Sequence, residues 1–299
     1  MADRKWFTDQ LPPDEGAGAT TLTDLTSDVS TIGLWGPRAR DILSSLTPAD
    51  VSDAGFGFLT CREITVRTGA GETTVLASRI SYVGELGWEI YVPIEQGLRL
   101  WDALWDAGKP LGAAPVGIGV YGTTGRLEKG YRAHGNELEL EYDLVEAGMA
   151  GPTVKDVDFI GRDAYLKQRA EEPAAVLCSL TVDDPTSASG VKRYMLGREP
   201  ILSRDGEPDP SALELEIILV PQRHLMLRFC RDGEALVDAK GRRSYVTSAG
   251  SGPSVGRHIL MAYLPPDRAK AGGELAVEYF GERYPVTVAA VGSTPLFDP

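Results

Sequence analysis

The segment best suited to chemistry is Ser81-Tyr-Val-Gly-Glu-Leu-Gly-Trp-Glu, which ends at Glu89. Its two glycines allow a tight connection that brings the backbone close to another group. Glu89 alternates with Trp88 and Ile90, so its carboxylate faces the opposite side of a strand from these apolar residues. A carboxylate there either meets water or accepts two N–H groups that a flat ligand offers in a fork. The spacing alone favours the first interpretation, because buried glutamates are rare.

Other residue types that support catalysis or metal binding are scarce. The chain has three histidines and three cysteines, far apart, which argues against a disulfide framework or a histidine metal cage and predicts no metal. His134 has a proton-shuttle interpretation because histidine titrates near neutrality, but packing in the core is favoured. Cys61, Cys178 and Cys230 each sit among apolar residues, so we expect core positions for all three.

The charge balance restricts the partners. Asp plus Glu number 43 and Lys plus Arg number 30, which gives a formal net charge of −13. This argues against nucleic acid or an anionic membrane as the partner, because binding phosphates needs a basic surface. No apolar run approaches the ~18 residues of a membrane-spanning helix, and the charged start lacks the apolar core of a secretory signal. The sequence predicts a cytoplasmic protein. Its net charge is compatible with a local basic pocket for one small anion.

Glu89 lies within a first part that mixes helices and strands. Residues 1–30 are polar and predict a loosely held N-terminal arm. After the arm, the apolar period changes several times between that of a strand and that of a helix. The predicted elements are a strand over 30–35, a helix opened by Gly36-Pro37, strands over 73–80 and 88–92, a helix with Leu98, Trp101, Leu104 and Trp105 on one face, and a helix over 161–170.

The pattern of predicted elements changes near residue 173, after which strands follow one another without intervening helices. Short alternating strands of this kind are typical of a small antiparallel barrel. The predicted fold class is α+β, with an antiparallel-sheet domain over 31–173 followed by an all-β barrel domain over 174–299. The predicted strands of the barrel domain are 174–182, 213–220, 225–230, 244–248, 259–264 and a terminal hairpin over 275–288.

Six segments in order resemble signatures of the glycine cleavage T-protein (aminomethyltransferase) family. The segment from Tyr82 to Pro93 is similar to the family pattern Tyr-Thr-Gly-Glu-x-Gly-x-Glu-x-x-x-Pro. The Glu-Lys-Gly-Tyr-Arg variant that begins at Glu128 resembles the branch associated with dimethylglycine and sarcosine oxidoreductases. The other matching segments are Leu34-Trp-Gly-Pro-Arg-Ala-Arg, Arg126-Leu-Glu-Lys-Gly, Val145-Glu-Ala-Gly, Asp158-Phe-Ile-Gly-Arg-Asp-Ala and Thr247-Ser-Ala-Gly-Ser-Gly-Pro.

This resemblance implies a chain that binds tetrahydrofolate and transfers a one-carbon unit, aminomethyl or methyl, from a small amine or related donor. It implies that Glu89 holds the pterin, whose amino-pyrimidinone edge offers a fork of two N–H groups. Tyr82 belongs to the same signature and would line the pocket. Gly122 stands where glycine cleavage members carry an arginine, and the adjacent Tyr121 would replace that arginine by stacking. The predicted cofactor-binding residues are therefore Glu89, Tyr82 and Tyr121.

Two departures from the family pattern affect the expected activity. Relatives carry a longer segment before the Gly-Pro corner, with an aspartate taken to help the transfer. Asp24 and Asp28 do not match that aspartate, so no catalytic residue is predicted. The alternative function is therefore a catalytically incomplete folate-binding subunit whose site a partner polypeptide would complete. The second departure is the apolar stretch Leu213–Cys230, which predicts an extra hairpin that packs rather than a solvated loop.

Overall fold

The structure is a computed structural model that describes residues 2–12, 20–204, 213–219, 225–231 and 235–298, with 213–219 and 225–231 described by their backbone alone. Within these ranges the helices are α1 (Ala2–Gln10), α2 (Ala39–Leu46), α3 (Gly97–Gly108), α4 (Arg126–Lys129) and α5 (Arg162–Ala170). The strands are β1 (Val29–Trp35), β2 (Cys61–Thr68), β3 (Gly71–Ser78), β4 (Gly87–Pro93), β5 (Val176–Val182), β6 (Ile201–Ser203), β7 (Leu213–Leu219), β8 (Leu225–Arg231), β9 (Val246–Gly252), β10 (Arg257–Leu264), β11 (Glu274–Tyr279) and β12 (Glu282–Val291).

The chain forms two compact units. One consists of residues 1–81 and 85–114, and the other of residues 82–84 and 115–299. The domain boundary near residue 173 stays a prediction. None of the helices in the described part has the length and apolar content that a membrane crossing requires. The cytoplasmic location likewise stays a prediction.

The first unit is built on a four-stranded antiparallel sheet in the order β1-β4-β3-β2. Trp88, Ile90 and Val92 of β4 point to one face and are at most 1% exposed. Leu43 of α2 and Leu100 of α3 belong to the same core cluster. Burying a side chain of this size contributes about 1.5–3 kcal/mol. The apolar alternation of β4 therefore decides which of its faces turns to the helices and leaves the intervening residues on the other face.

Helix α3 forms where the sequence predicts it but buries a different stripe. Leu100, Ala103 and Leu104 are buried, whereas Leu98 is 72% and Trp101 is 43% exposed. The predicted face is therefore wrong for Leu98 and Trp101. The physical reason is that α3 packs against both α2 and the sheet, and these two contacts select the i, i+3, i+4 set that begins at Leu100.

The predicted N-terminal arm carries the helix α1. Lys5 and Asp9 form an ion pair of 2.6 Å at i, i+4 spacing on this helix. Arg4 pairs with Asp24 at 3.2 Å. A pair at i, i+4 spacing stabilises a helix by about 0.2–0.5 kcal/mol, so the Lys5–Asp9 pair is a small contribution to the stability of α1. Residues 13–19 of the arm lie outside the described residues.

The second unit contains a six-stranded antiparallel sheet in the order β6-β11-β12-β5-β10-β9. The two outer strands, β6 and β9, are joined near their first residues. Pro200, just before β6, forms an antiparallel bridge with Tyr245, just before β9. Val246, the first residue of β9, donates its N–H to the carbonyl of Glu199 at 2.8 Å. These contacts link the two edges, so the sheet closes on itself and protects its edge groups. The predicted C-terminal antiparallel barrel is confirmed.

The apolar stretch that follows β6 contains the antiparallel pair of β7 and β8. Leu213 lies opposite Arg231, and Leu219 lies opposite Leu225. The strands thus match the extra hairpin that the sequence predicts. The packing predicted for its apolar side chains, and the core position predicted for Cys230, lie outside the described residues.

Candidate functional site

Glu89 lies on the outer face of β4, away from the core side chains on either side of it in the sequence. Its backbone is paired with Gly33 on β1 and Ser78 on β3, so it stands inside the sheet and not at an edge. The side chain is half-buried, and Oε2 accepts a hydrogen bond of 2.6 Å from the hydroxyl of Tyr91. Among the described residues Oε1 has no hydrogen-bond partner, which leaves this oxygen able to accept an N–H from a ligand.

The indole of Trp35 covers the position directly opposite Glu89. A Cβ added at Gly33 would collide with the benzene ring of this indole, so only glycine lets the ring lie flat over β1 at this point. Trp35 Nε1 donates to the carbonyl of Ile80 at 3.2 Å, which fixes the ring. A Cβ at Gly87 would likewise meet the same side chain. The outer face of the sheet therefore presents a carboxylate beside an aromatic plane.

This arrangement suits a flat heteroaromatic ring with N–H groups on its edge. A carboxylate oxygen accepts such an N–H in a charge-assisted hydrogen bond, which is about twice as strong as a neutral one. The neighbouring indole supplies apolar and stacking contact, worth about 0.5–1.5 kcal/mol beyond the area that it buries. Tyr91 holds the other oxygen of Glu89, so little side-chain entropy is lost when a ligand binds. Trp35 and Tyr91 are thus candidate binding residues that the sequence did not single out.

The two other predicted binding residues are in contact within the second unit. The ring centroids of Tyr82 and Tyr121 are 4.9 Å apart at 43°. Tyr131 stacks on Tyr82 at 6.0 Å and 19°. The hydroxyl of Tyr82 donates to the carbonyl of Arg132 at 2.6 Å. Burial raises the pKa of Tyr82, so its hydroxyl stays protonated near neutral pH and acts as a donor. The structure thus brings together Tyr82 and Tyr121, while Glu89 belongs to the first unit.

The segment Arg126-Leu-Glu begins with a buried ion pair. Arg126 and Glu137 are both fully buried, and Arg126 Nη1 lies 3.0 Å from Glu137 Oε2. Arg126 Nη2 donates to the hydroxyl of Ser248 at 2.7 Å. Glu137 Oε1 accepts from the hydroxyl of Thr247 at 2.7 Å, and Oε2 accepts from the N–H of Ala133 at 2.9 Å. This pair is fully matched with partners, as a buried ion pair must be to offset its loss of hydration.

Glu128 extends the same connection to the barrel. It is 8% exposed, and Oε1 accepts from the N–H of Ser254 at 2.6 Å. Its Oε2 accepts from the Ser254 hydroxyl at 3.0 Å, and Val255 N–H adds a longer bond of 3.3 Å to Oε1. The carboxylate therefore caps the turn between β9 and β10. Arg126 and Glu128 therefore both bind groups of the protein itself, and neither is free to bind a substrate.

The sequence matches two family models. Residues 1–156 match the GCVT N-terminal domain, and residues 218–298 match the glycine cleavage T-protein C-terminal barrel domain. The first match alone covers more than half of the chain. The chain belongs to the glycine cleavage T-protein family. The family that the six segments predict is thereby confirmed.

Relatives of this T-protein family member include two kinds of protein. It is 28% identical over 291 residues to human mitochondrial dimethylglycine dehydrogenase, covering 96% of this chain and 28% of that protein. It is 35% identical over 276 residues to an aminomethyltransferase of Thermoanaerobacter sp. (strain X514), covering 92% of this chain and 61% of that protein. An aminomethyltransferase of Synechococcus elongatus is 29% identical, with 96% and 62% covered. The chain thus spans less than two thirds of the length of these relatives.

A solved structure shares the fold. Aminomethyltransferase T of the glycine cleavage system from Bartonella henselae superposes with a TM-score of 0.53. The superposition covers 89% of this chain and 84% of that one, at 16% sequence identity. The mixed architecture of antiparallel sheets followed by a barrel is therefore the T-protein fold.

The family segment Val145-Glu-Ala-Gly places Glu146 in a second buried ion pair of the T-protein fold. Glu146 is 1% exposed, and Arg242 donates to both of its oxygens, at 2.5 and 3.1 Å. Lys240 adds a bond of 3.0 Å. Burial raises the pKa of Glu146, but the hydrogen bonds from Arg242, from the N–H of Asp143 and from Lys240 outweigh it and lower the pKa overall. The carboxylate is therefore ionised in the folded protein.

The histidine and cysteine residues that the sequence offers for chemistry lie in positions that do not indicate catalysis. His134 is exposed, so the core position expected for it is wrong. Cys178 is fully buried as predicted, whereas Cys61 is exposed. Cys61 lies at the first position of β2, at an end of the sheet where its apolar neighbours do not cover it. Within the described part of the chain, no group of three or more His, Cys, Asp or Glu side chains is arranged to hold a metal ion.

Removing the charge of Glu137 tests the structural role of its ion pair. Glu137→Gln keeps the shape but leaves the buried guanidinium of Arg126 without its counter-ion. We expect the free energy of unfolding to fall by about 3–5 kcal/mol, measured by urea titration of the purified chain. Glu139→Gln is the matched control, because Glu139 is 41% exposed and lies 3.8 Å from Arg198, and it should change stability by at most about 1 kcal/mol. Equal effects of the two variants would contradict the role assigned to Glu137.

The lowered pKa of Glu146 predicts a pH dependence of stability. A carboxylate whose pKa is lower in the folded than in the unfolded chain stabilises the fold above the unfolded value, about 4.3, and loses this contribution as the pH falls through the folded value. We expect Glu146→Gln to be less stable than the wild type at pH 7, with a difference that shrinks as the pH is lowered below about 4.3. Urea titrations across this range measure it, with the exposed Glu171→Gln as control. A difference that is constant or grows in acid would refute the prediction.

Proposed function

We propose that this chain binds tetrahydrofolate and transfers a one-carbon unit from a small amine or related methyl donor. The observation that carries the proposal is the outer face of β4, where the half-buried carboxylate of Glu89 stands opposite the indole of Trp35. The membership of the chain in the T-protein family also supports the proposal. Beyond the role that the resemblance implies for Glu89, the proposal adds Tyr91 and Trp35 as the groups beside its carboxylate.

The residues of this face fit a pterin. Glu89 Oε1 is the acceptor for an N–H of the amino-pyrimidinone edge, while Tyr91 keeps Oε2 occupied at 2.6 Å. The glycine at position 33 leaves room that the Trp35 ring fills, so the carboxylate has a flat aromatic neighbour. Tyr82 and Tyr121 remain proposed folate-binding residues on the resemblance, and their ring centroids lie 4.9 Å apart within the second unit.

When bound, tetrahydrofolate supplies the nitrogen that accepts the one-carbon unit. The part played by the protein is to orient and to desolvate. Glu89 orients the pterin through its edge, and Tyr91 holds the carboxylate in the conformation that does so. Trp35 excludes water from one side of the carboxylate, which strengthens its hydrogen bond to the ligand. No catalytic residue is assigned.

The relatives' names indicate the class of donor. Dimethylglycine dehydrogenase and the 4-methylaminobutanoate oxidase of Paenarthrobacter nicotinovorans are named for N-methylated amino acids, and the latter is 29% identical over 283 residues, with 94% of this chain and 28% of that protein covered. The aminomethyltransferases are named for an aminomethyl group. All these names describe a one-carbon group on nitrogen. The proposed donor is accordingly a small N-methyl or aminomethyl compound.

The second candidate function is folate binding without transfer, with a partner polypeptide completing the site. One observation favours it, namely the surroundings of Asp24, an aspartate of the N-terminal arm. Asp24 is exposed, and its carboxylate accepts from both the N–H and the hydroxyl of Thr26, at 3.0 and 2.6 Å. These hydrogen bonds lower the pKa of Asp24, which makes it a turn-capping group and a poor general base.

Substitution of Glu89 tests the binding site. Glu89→Gln keeps the shape but removes the negative charge, so the hydrogen bond to the pterin N–H is no longer charge-assisted, and we expect tetrahydrofolate affinity to fall by about 5- to 13-fold, which corresponds to about 1–1.5 kcal/mol. Titration calorimetry measures it. Glu95→Gln, an exposed glutamate six residues later, is the matched control and should bind like the wild type. Binding of Glu89→Gln within threefold of the wild type would remove Glu89 from the site.

A turnover assay separates the two candidate functions. The purified chain is given tetrahydrofolate with dimethylglycine, sarcosine or an aminomethyl donor, and the one-carbon-loaded folate is measured by mass spectrometry. A transferase should form product at a rate that Glu89→Gln lowers in parallel with the affinity when folate is below saturation. Tight binding without product would establish the second candidate. Absence of both binding and product would contradict both.

A further inference from the structure

A cavity of about 720 Å³ opens on the barrel of the second unit, and none of the proposed folate-binding residues lines it. One wall is the loop after β5, which folds back on itself through an antiparallel bridge between Thr186 and Lys192. The other wall is the turn between β9 and β10. Its volume lies within the range of about 300–1,000 Å³ that small-molecule sites occupy. The lining residues are Val182, Asp183, Pro185, Lys192, Tyr194 and residues 251–253 and 256–258.

The charges that line this cavity have an excess of one positive charge. Arg257 Nη1 donates to Asp183 Oδ1 at 2.8 Å. The hydroxyl of Thr287 also bonds the same carboxylate, at 2.9 and 3.1 Å. Lys192 is exposed and has no ion pair among the described residues, although Asp184, which does not line the cavity, lies near it. Two cations thus share one lining carboxylate, within a chain whose formal net charge is −13.

The rest of the lining is apolar and aromatic. Tyr194 is half exposed, and its ring meets the ring of His258 edge-on at 5.3 Å. His258 Nε2 donates to the carbonyl of Met195 at 3.0 Å, because a carbonyl only accepts. Burial lowers the pKa of His258 against this hydrogen bond, so the ring is neutral near pH 7. Pro185 and the buried Val182 complete an apolar floor and wall.

We propose that this cavity binds a small monovalent organic anion, a carboxylate carried on an apolar body. The single excess charge matches a monoanion, whereas the carboxylate of Asp183 would repel the second charge of a phosphate dianion. Lys192 at the rim pairs with the ligand carboxylate, and Arg257 offers it the guanidinium N–H groups that Asp183 does not use. Tyr194 and the prolines contact the apolar body. The proposal is independent of the folate site proposed at Glu89, because no residue proposed to bind folate lines this cavity.

Nuclear magnetic resonance of the full chain tests this site directly. The chain has three histidines, so the Cε1–H resonance of His258 can be assigned by its loss in His258→Asn. Benzoate is the probe, and we expect a saturable shift of this resonance. Lys192→Gln should weaken benzoate binding about tenfold, as expected for loss of one charge-assisted hydrogen bond. Because Lys192 is exposed and forms no ion pair within the part of the chain that the structure describes, we expect this variant to keep the fold.

The controls distinguish the ligand classes. Arg268→Gln, which removes an exposed cation outside the cavity, should bind benzoate like the wild type. Benzyl alcohol, with the same ring and no charge, should bind at least tenfold more weakly than benzoate. No saturable shift with benzoate, or equal affinities for Lys192→Gln and the wild type, would overturn the proposal. Saturation by inorganic phosphate in place of benzoate would also overturn it, because the site would then take a dianion.

Discussion

A guanidinium and a carboxylate that are both withdrawn from water, those of Arg126 and Glu137, organise the second unit. Removing each ion from water costs several kcal/mol, which is recovered only when the remaining hydrogen-bonding atoms also have partners. Strand β9 supplies these partners through Thr247 and Ser248. The segment that holds Arg126 and the barrel must therefore form together, because each contains groups that the other leaves unsatisfied.

The family motif Arg-Leu-Glu gains its meaning from this constraint. Its two charged residues bind the barrel at different points, Arg126 at strand β9 and Glu128 at the β9–β10 turn. Leu127 between them is fully buried among barrel residues. A motif that is easily taken for a ligand-binding signature is thus a joint between two parts of one unit. The candidate binding groups stand elsewhere, on the outer face of β4.

Local pattern predicted several elements well and others poorly, for physical reasons. Strand β4 and the terminal strand β12 have regular apolar alternation, so their existence and their buried faces follow from backbone geometry. Strand β2 carries charges on both sides of its buried Ile64 and Val66, and β6 has three residues, so neither was predicted. The buried stripe of α3 and the exposure of His134 depend on what packs against them, which no local pattern contains.

The sequence by itself determined that Glu89 faces away from Trp88 and Ile90, because successive side chains of a strand alternate by covalent geometry. It also determined the family, through short segments in a fixed order. Only the tertiary structure decided that Trp35 lies beside Glu89, and that Gly33 is the residue that lets it do so. The physical reason is that this neighbourhood is set by the register of two strands far apart in the chain, and register is fixed by packing of the whole sheet.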